Sequence, residues 1–167
     1  NSYYYRIFTR DNIANYSATG VEPTGSPFTP SGPGCYSVAT GDWNATATWA
    51  SASGGTAGTC IGPGNLPSAN EAVYVERAYT VTVPTGYSAA ASSVTINIPT
   101  TNATTVLAVA GTGSLTVGGS ITLGNPSGQK TAELSIGTGT VTAGSVNATG
   151  GGSVTFTGAG TLNVSGN

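Results

Sequence analysis

Six carboxylates are the side chains that could carry acid–base chemistry in this chain, and they are scattered along it. Polysaccharide-cleaving enzymes need clustered carboxylates, and those built on a sheet surface often add calcium or a basic residue. Glu71 and Glu76 are five positions apart, an odd spacing that predicts opposite faces of a strand. Beyond Arg77 the chain has one acid and one base, Glu133 and Lys130. The other carboxylates are Asp11, Glu22 and Asp42.

Histidine is absent from the sequence. Its absence removes His-based acid–base catalysis, His-ligated metal sites and every His-containing triad. Serines are numerous, but they lie in Gly-rich turn sequences without a base at a useful spacing. We therefore predict a protein that is not an enzyme and that holds no metal ion or cofactor.

The remaining side chains with reactive chemistry are the two cysteines, Cys35 and Cys60. The chain starts at Asn1 and shows no hydrophobic leader, which indicates a processed end or a fragment of a longer protein. In a mature secreted chain an even number of cysteines indicates a disulfide. Two free buried thiols in a cytosolic protein are the alternative. We predict a Cys35–Cys60 disulfide and an extracellular or cell-surface location.

Charge is scarce, because only 6% of the residues are charged and the net charge is −2. A chain without a basic footprint is not expected to bind nucleic acid. No apolar run approaches the roughly 20 residues that a membrane-spanning helix needs. Hydroxyl and amide side chains must keep the surface hydrated, as in extracellular structural proteins.

The sequence beyond Ala72 alternates polar and apolar residues at period two, with Gly-rich breaks, which predicts an all-β fold. Units that start at Thr105, Ala132 and Ser153 each follow the order strand, Gly-x-Gly turn, strand, small-residue corner, strand. Coils of about twenty residues predict a β-solenoid. A hairpin sandwich is the alternative, but its favoured Asn-Gly and Asp-Gly turns are absent. Prolines concentrate between residues 11 and 70, which predicts a loop-rich cap over 1–70 and coils over 71–167.

The stretch SVATGDWNATATWA, followed by PGNLPSANEAVYVERAYTVTVP, resembles a module of secreted surface proteins of Bacteroidota-type bacteria. In that module a G-x-W-x-x-x-x-T-W element leads, through a loop ending P-x-x-x-D/E-x-V-x-V, into a right-handed parallel β-helix. The resemblance covers residues 37–83 and implies an adhesin-like or repeat surface protein with that fold. Glu71 stands where the pattern often has Asp. The matching positions are Gly41, Trp43, Thr48, Trp49, Pro67, Glu71, Val73 and Val75.

Both tryptophans, Trp43 and Trp49, lie between the two cysteines. The first coil of a solenoid exposes an apolar cross-section, and two large rings held by a disulfide loop would cover it. The alternative is a carbohydrate-binding module in which exposed, coplanar rings stack on sugars. We predict the core cap and retain the carbohydrate platform, with surface glycans as its partner, as the second hypothesis.

The sequence NSYYYRIFTR at the start predicts a strand that is apolar on both faces. Such a strand either covers the β-helix of its own chain or adds to that of a neighbour. The last residues, TLNVSGN, stop within a coil without a polar cap, which predicts an open coil end that stacking copies would cover. The predicted subunit contacts are Tyr3, Tyr4, Tyr5, Ile7 and Phe8.

Two further surface functions have sequence signals. Paired threonines, as at Thr80 and Thr82 or Thr140 and Thr142, are typical of ice-binding solenoids, but no T-x-T pair recurs at one coil position. Five sequons make candidate glycosylation sites, namely Asn15, Asn44, Asn102, Asn147 and Asn163. The function that the sequence favours is a non-enzymatic extracellular structural protein, a subunit of a surface filament or adhesin that associates with itself.

Overall fold

The computed structural model describes residues 34–97, 103–124 and 131–166. All of them belong to one compact unit, Ser31–Asn167. These residues form thirteen β-strands and two short 3-10 turns, so the all-β prediction is confirmed. No helix within the described ranges has the length and apolarity needed to span a bilayer.

The strands group into a five-stranded sheet of order β12-β10-β8-β5-β2 and an eight-stranded sheet of order β13-β11-β9-β7-β4-β1-β3, in which β6 also pairs with β9. The strand bounds are β1 Cys35–Ser37, β2 Gly41–Asp42, β3 Trp49–Ala50, β4 Ala72–Val75, β5 Thr80–Val83, β6 Ser88–Ala91, β7 Ser93–Ile96, β8 Thr104–Val109, β9 Ser114–Leu123, β10 Thr131–Ile136, β11 Thr140–Ala148, β12 Gly152–Phe156 and β13 Thr161–Val164.

Every pairing is parallel except that of β1 with β3. From β8 to β13 the chain passes from one sheet to the other at each step, so each strand pairs with the strand two positions later. Parallel neighbours cannot be joined by a tight hairpin, and here the strand of the other sheet makes the return connection.

The core lies between the two sheets, where period-two alternation turns every second side chain inward. Parallel pairing in register stacks these inward residues into columns, such as Val81, Leu107, Leu134 and Val154. Glycines occupy tight corners between strands. Gly124, after β9, has a φ of 87°, and a side chain there would collide with the carbonyl of Thr149.

One detail differs from the sequence expectations. Ala132 pairs with Thr105, as the repeat predicts, but with Gly152 rather than Ser153 on the other side. The shift of one position keeps the apolar Leu134 and Ile136 in register with the apolar Val154 and Phe156. Within residues 1–70, the short strands β1 and β2 pair in parallel with β4 and β5.

Candidate functional site

The Cys35–Cys60 disulfide is present, as predicted, with the two Cα atoms 5.1 Å apart. Both cysteines are buried, and the bond joins β1 to the loop that connects β3 with β4. It closes a loop with a sequence separation of 25 residues, which includes Trp43 and Trp49.

Trp43 and Trp49 are both fully buried in the core. Their ring centroids are 5.1 Å apart and the ring planes make an angle of 71°, an edge-to-face arrangement. The Trp49 indole N–H donates to the carbonyl of Trp43 at 2.8 Å, and the Trp43 backbone N–H donates to the carbonyl of Thr82 at 2.7 Å. The Trp43 indole N–H has no acceptor among the described residues.

This burial contradicts the carbohydrate platform. A sugar stacks on a ring face that is open to solvent, whereas neither indole has accessible surface and the two planes are nearly perpendicular. The burial agrees with the placement in the core that the cap prediction requires.

Glu71 and Glu76 flank β4, one before it and one after it, and each carboxylate accepts hydrogen bonds from a residue in the loop that connects β3 with β4. The Glu71 carboxylate accepts from the Ser68 backbone N–H at 2.7 Å and from the Ser68 hydroxyl. The Glu76 carboxylate accepts from the Ser53 hydroxyl and pairs with the Arg77 guanidinium at 3.4 Å. In the described ranges no three acidic or cysteine side chains converge as metal ligands.

A tyrosine pair that the sequence did not single out lies at one end of the eight-stranded sheet. The rings of Tyr36 on β1 and Tyr74 on β4 stack in parallel, with centroids 4.5 Å apart and planes 8° apart. Burial raises the pKa of Tyr36, and the charges of Tyr74 and Glu76 add to this effect. Each ring covers a face of the other. Only strand register, which the sequence does not reveal, brings these two residues together.

The most exposed large apolar side chains of the two sheets lie on β12 and β13, which we call the β12–β13 edge. Phe156 on β12 is 51% exposed, although its neighbour in register, Ile136, is fully buried. Val164 on β13 is 46% exposed, although its neighbour Ala143 is 1% exposed. Both residues occupy inward-facing positions, yet no described strand covers them on the far side. Among the described residues, the apolar core is therefore uncovered at this edge.

The outer face of the eight-stranded sheet carries rows of uncharged hydroxyl and amide side chains. The pair Ser114 and Thr116 lies beside Thr140 and Thr142, which lies beside Thr161 and Asn163. Of these three pairs only the one on β11 is T-x-T, so the T-x-T pair of an ice-binding solenoid does not recur along these strands. Polar pairs nevertheless align from strand to strand, which the sequence reading did not anticipate.

The other predicted site residues divide by location. Asn44, Asn147 and Asn163 are exposed, as glycosylation sites must be. The predicted subunit contacts Tyr3, Tyr4, Tyr5, Ile7 and Phe8 lie outside the described residues, as do Asn15 and Asn102. The roles assigned to those residues remain predictions.

Comparison with known proteins adds no relative to this picture. No protein-family description, no curated protein and no solved structure matches the chain. The resemblance to bacterial surface modules therefore rests on the quoted motif alone.

Proposed function

We propose that the chain is a non-enzymatic extracellular structural protein, a subunit of a surface filament or adhesin that assembles through strand edges and coil ends. Its body is a right-handed parallel β-helix. Its principal partner is a second copy of itself.

The strand pairing supports the β-helix. Each passage through the five-stranded sheet is followed by one through the eight-stranded sheet, and each strand then pairs in parallel with its equivalent on the next passage. Parallel strands of one sheet joined by such a crossover are right-handed in about 98% of cases. Inward columns of Val, Leu and Ile form the continuous interior that stacked coils require.

One observation carries the proposal of assembly, namely the exposure of Phe156 and Val164 at inward-facing positions. Edge strands that present unpaired backbone groups beside exposed apolar side chains are templates for pairing with another chain. A heterologous contact of this kind, repeated without closing into a ring, produces a filament. The disulfide supports an oxidising, extracellular compartment for that filament.

The test is assembly of the full chain with Phe156→Asp and Val164→Asp combined. Ile61→Asp is the matched control, because Ile61 is also 46% exposed but lies in the loop that connects β3 with β4. Light scattering after size-exclusion chromatography and negative-stain electron microscopy report the assembly state. We expect filaments from the wild type and the control and monomers from the double variant. A wild type that stays monomeric, or a double variant that polymerises normally, would refute the proposal.

A further inference from the structure

The stacked tyrosines Tyr36 and Tyr74 lie on the outer face of the eight-stranded sheet, on two neighbouring strands. Tyr36 of β1 is directly in register with Tyr74 of β4, and the two strands are parallel. Parallel strands in register carry their side chains on one face and in the same direction, so corresponding atoms of the two rings are neighbours. Both side chains are partly exposed, so reagents in the solvent reach them.

The surrounding structure holds the two rings in this arrangement. Their centroids are 4.5 Å apart and their planes differ by 8°. Gly34, which immediately precedes β1, leaves the room that the Tyr74 ring occupies, because a β-carbon at that position would lie 2.5 Å from Cε2 of Tyr74. Two groups held together in this way react with each other far faster than two groups that meet by diffusion.

We infer that Tyr36 and Tyr74 form a site of oxidative modification, at which the two phenol rings couple to one dityrosine within the chain. The co-reactant is a one-electron oxidant of phenols, here a haem peroxidase with hydrogen peroxide. Strand β1 already carries one oxidative cross-link, since Cys35 of the disulfide is the residue next to Tyr36. The new bond would join β1 to β4 as well, and it requires no assembly of the chain.

The coupling step balances in atoms and electrons. Each phenol loses one electron and its hydroxyl proton, which gives two phenoxyl radicals, and a carbon–carbon bond then forms between one Cε atom of Tyr36 and one of Tyr74. Because the planes are nearly parallel, the p orbitals of facing carbons point along the new bond. Each bonded carbon then releases its hydrogen as a proton and each ring oxygen takes one up. The net loss of two electrons and two protons converts hydrogen peroxide to two waters.

The experiment treats the full chain, at low protein concentration and neutral pH, with the peroxidase and hydrogen peroxide. Dityrosine fluorescence measures the product. Reduction of the disulfide and cleavage after glutamate then separate the two tyrosines, because Glu71 lies between them and Tyr74 leaves in the peptide 72–76, which has no other tyrosine. We expect mass spectrometry to find this peptide joined to the one that contains Tyr36, with the loss of two hydrogen atoms, in a chain that stays monomeric.

Conservative variants test which rings react. Tyr36→Phe and Tyr74→Phe each keep the ring and remove one phenol, so we expect each to lower the initial rate of dityrosine formation at least tenfold. Tyr79→Phe is the matched control, because Tyr79 is also partly exposed but belongs to no stacked pair among the described residues. Its rate should stay within about twofold of the wild type. Circular dichroism melting checks that every variant folds.

Three results would overturn the inference. They are a peptide 72–76 that is recovered unmodified from the wild type, a product that forms mainly between two chains, and Phe variants at 36 and 74 that react as fast as Tyr79→Phe. A rate per chain that does not change with protein concentration supports coupling within one chain. None of these results bears on the filament proposal, which has its own test at the β12–β13 edge.

Discussion

A matched pair of Val→Ala substitutions measures how open the β12–β13 edge is. Val117, Ala143 and Val164 stack in one inward column on β9, β11 and β13. Val117 is 2% exposed and Val164 is 46% exposed, so the same chemical change is made at a closed and at an open position of one column.

The expected magnitudes follow from burial. Truncation of valine to alanine removes two methyl groups, which is worth about 1.6 kcal/mol of transfer free energy when the side chain is fully buried. The cavity left behind raises the cost of Val117→Ala to about 2 kcal/mol. Val164 loses about half of the transfer term and leaves no closed cavity, so its truncation costs about 0.8 kcal/mol.

The assay is urea unfolding of the monomer, followed by the fluorescence of the two buried tryptophans. With a slope of about 2 kcal/mol/M for a chain of this size, Val117→Ala lowers the midpoint by about 1 M and Val164→Ala by about 0.4 M. Val106→Ala, at an outward-facing position of β8, is the control and shifts the midpoint least. Equal shifts for Val117→Ala and Val164→Ala would show that the edge is covered within the monomer and would refute the argument for an open core.

Three other perturbations test the remaining structural claims. Replacing Cys35 and Cys60 together by serine removes a cross-link with a separation of 25 residues, and chain entropy predicts a loss of about 3.5 kcal/mol in urea unfolding; a loss below about 1 kcal/mol would contradict that account. Ala78 has a φ of 61°, so Ala78→Gly should raise the melting temperature by relieving about 1 kcal/mol of left-handed strain, whereas a lower melting temperature would exclude such strain. Because burial raises the pKa of Tyr36 above 10.0, deprotonation opposes folding; stability should hold up to about pH 10 and fall above it. Tyr36→Phe should make the fall in stability shallower. An unchanged dependence of stability on pH would show that Tyr36 does not cause the fall.

The sequence by itself determined the class of this fold and its covalent cross-link. Period-two alternation is a local property, because successive side chains of any strand point to opposite faces, so it predicted strands and their buried residues wherever the pattern was long enough. The pairing of Cys35 with Cys60 needed no geometry, since the chain has only two cysteines. The burial of Trp43 and Trp49 followed from the preference of large apolar rings for the core.

Only the tertiary structure decided which residues share a surface. Register is set by the summed packing of many side chains and by connection lengths, so a difference of one residue in a turn moves every pairing after it. The shift at β12, the stack of Tyr36 on Tyr74 and the alignment of polar pairs on the eight-stranded sheet all depend on register. The exposure of Phe156 has another cause. The alternation that buries Ile136 continues unchanged into β12, but no further described strand lies beside β12 to cover the Phe156 ring.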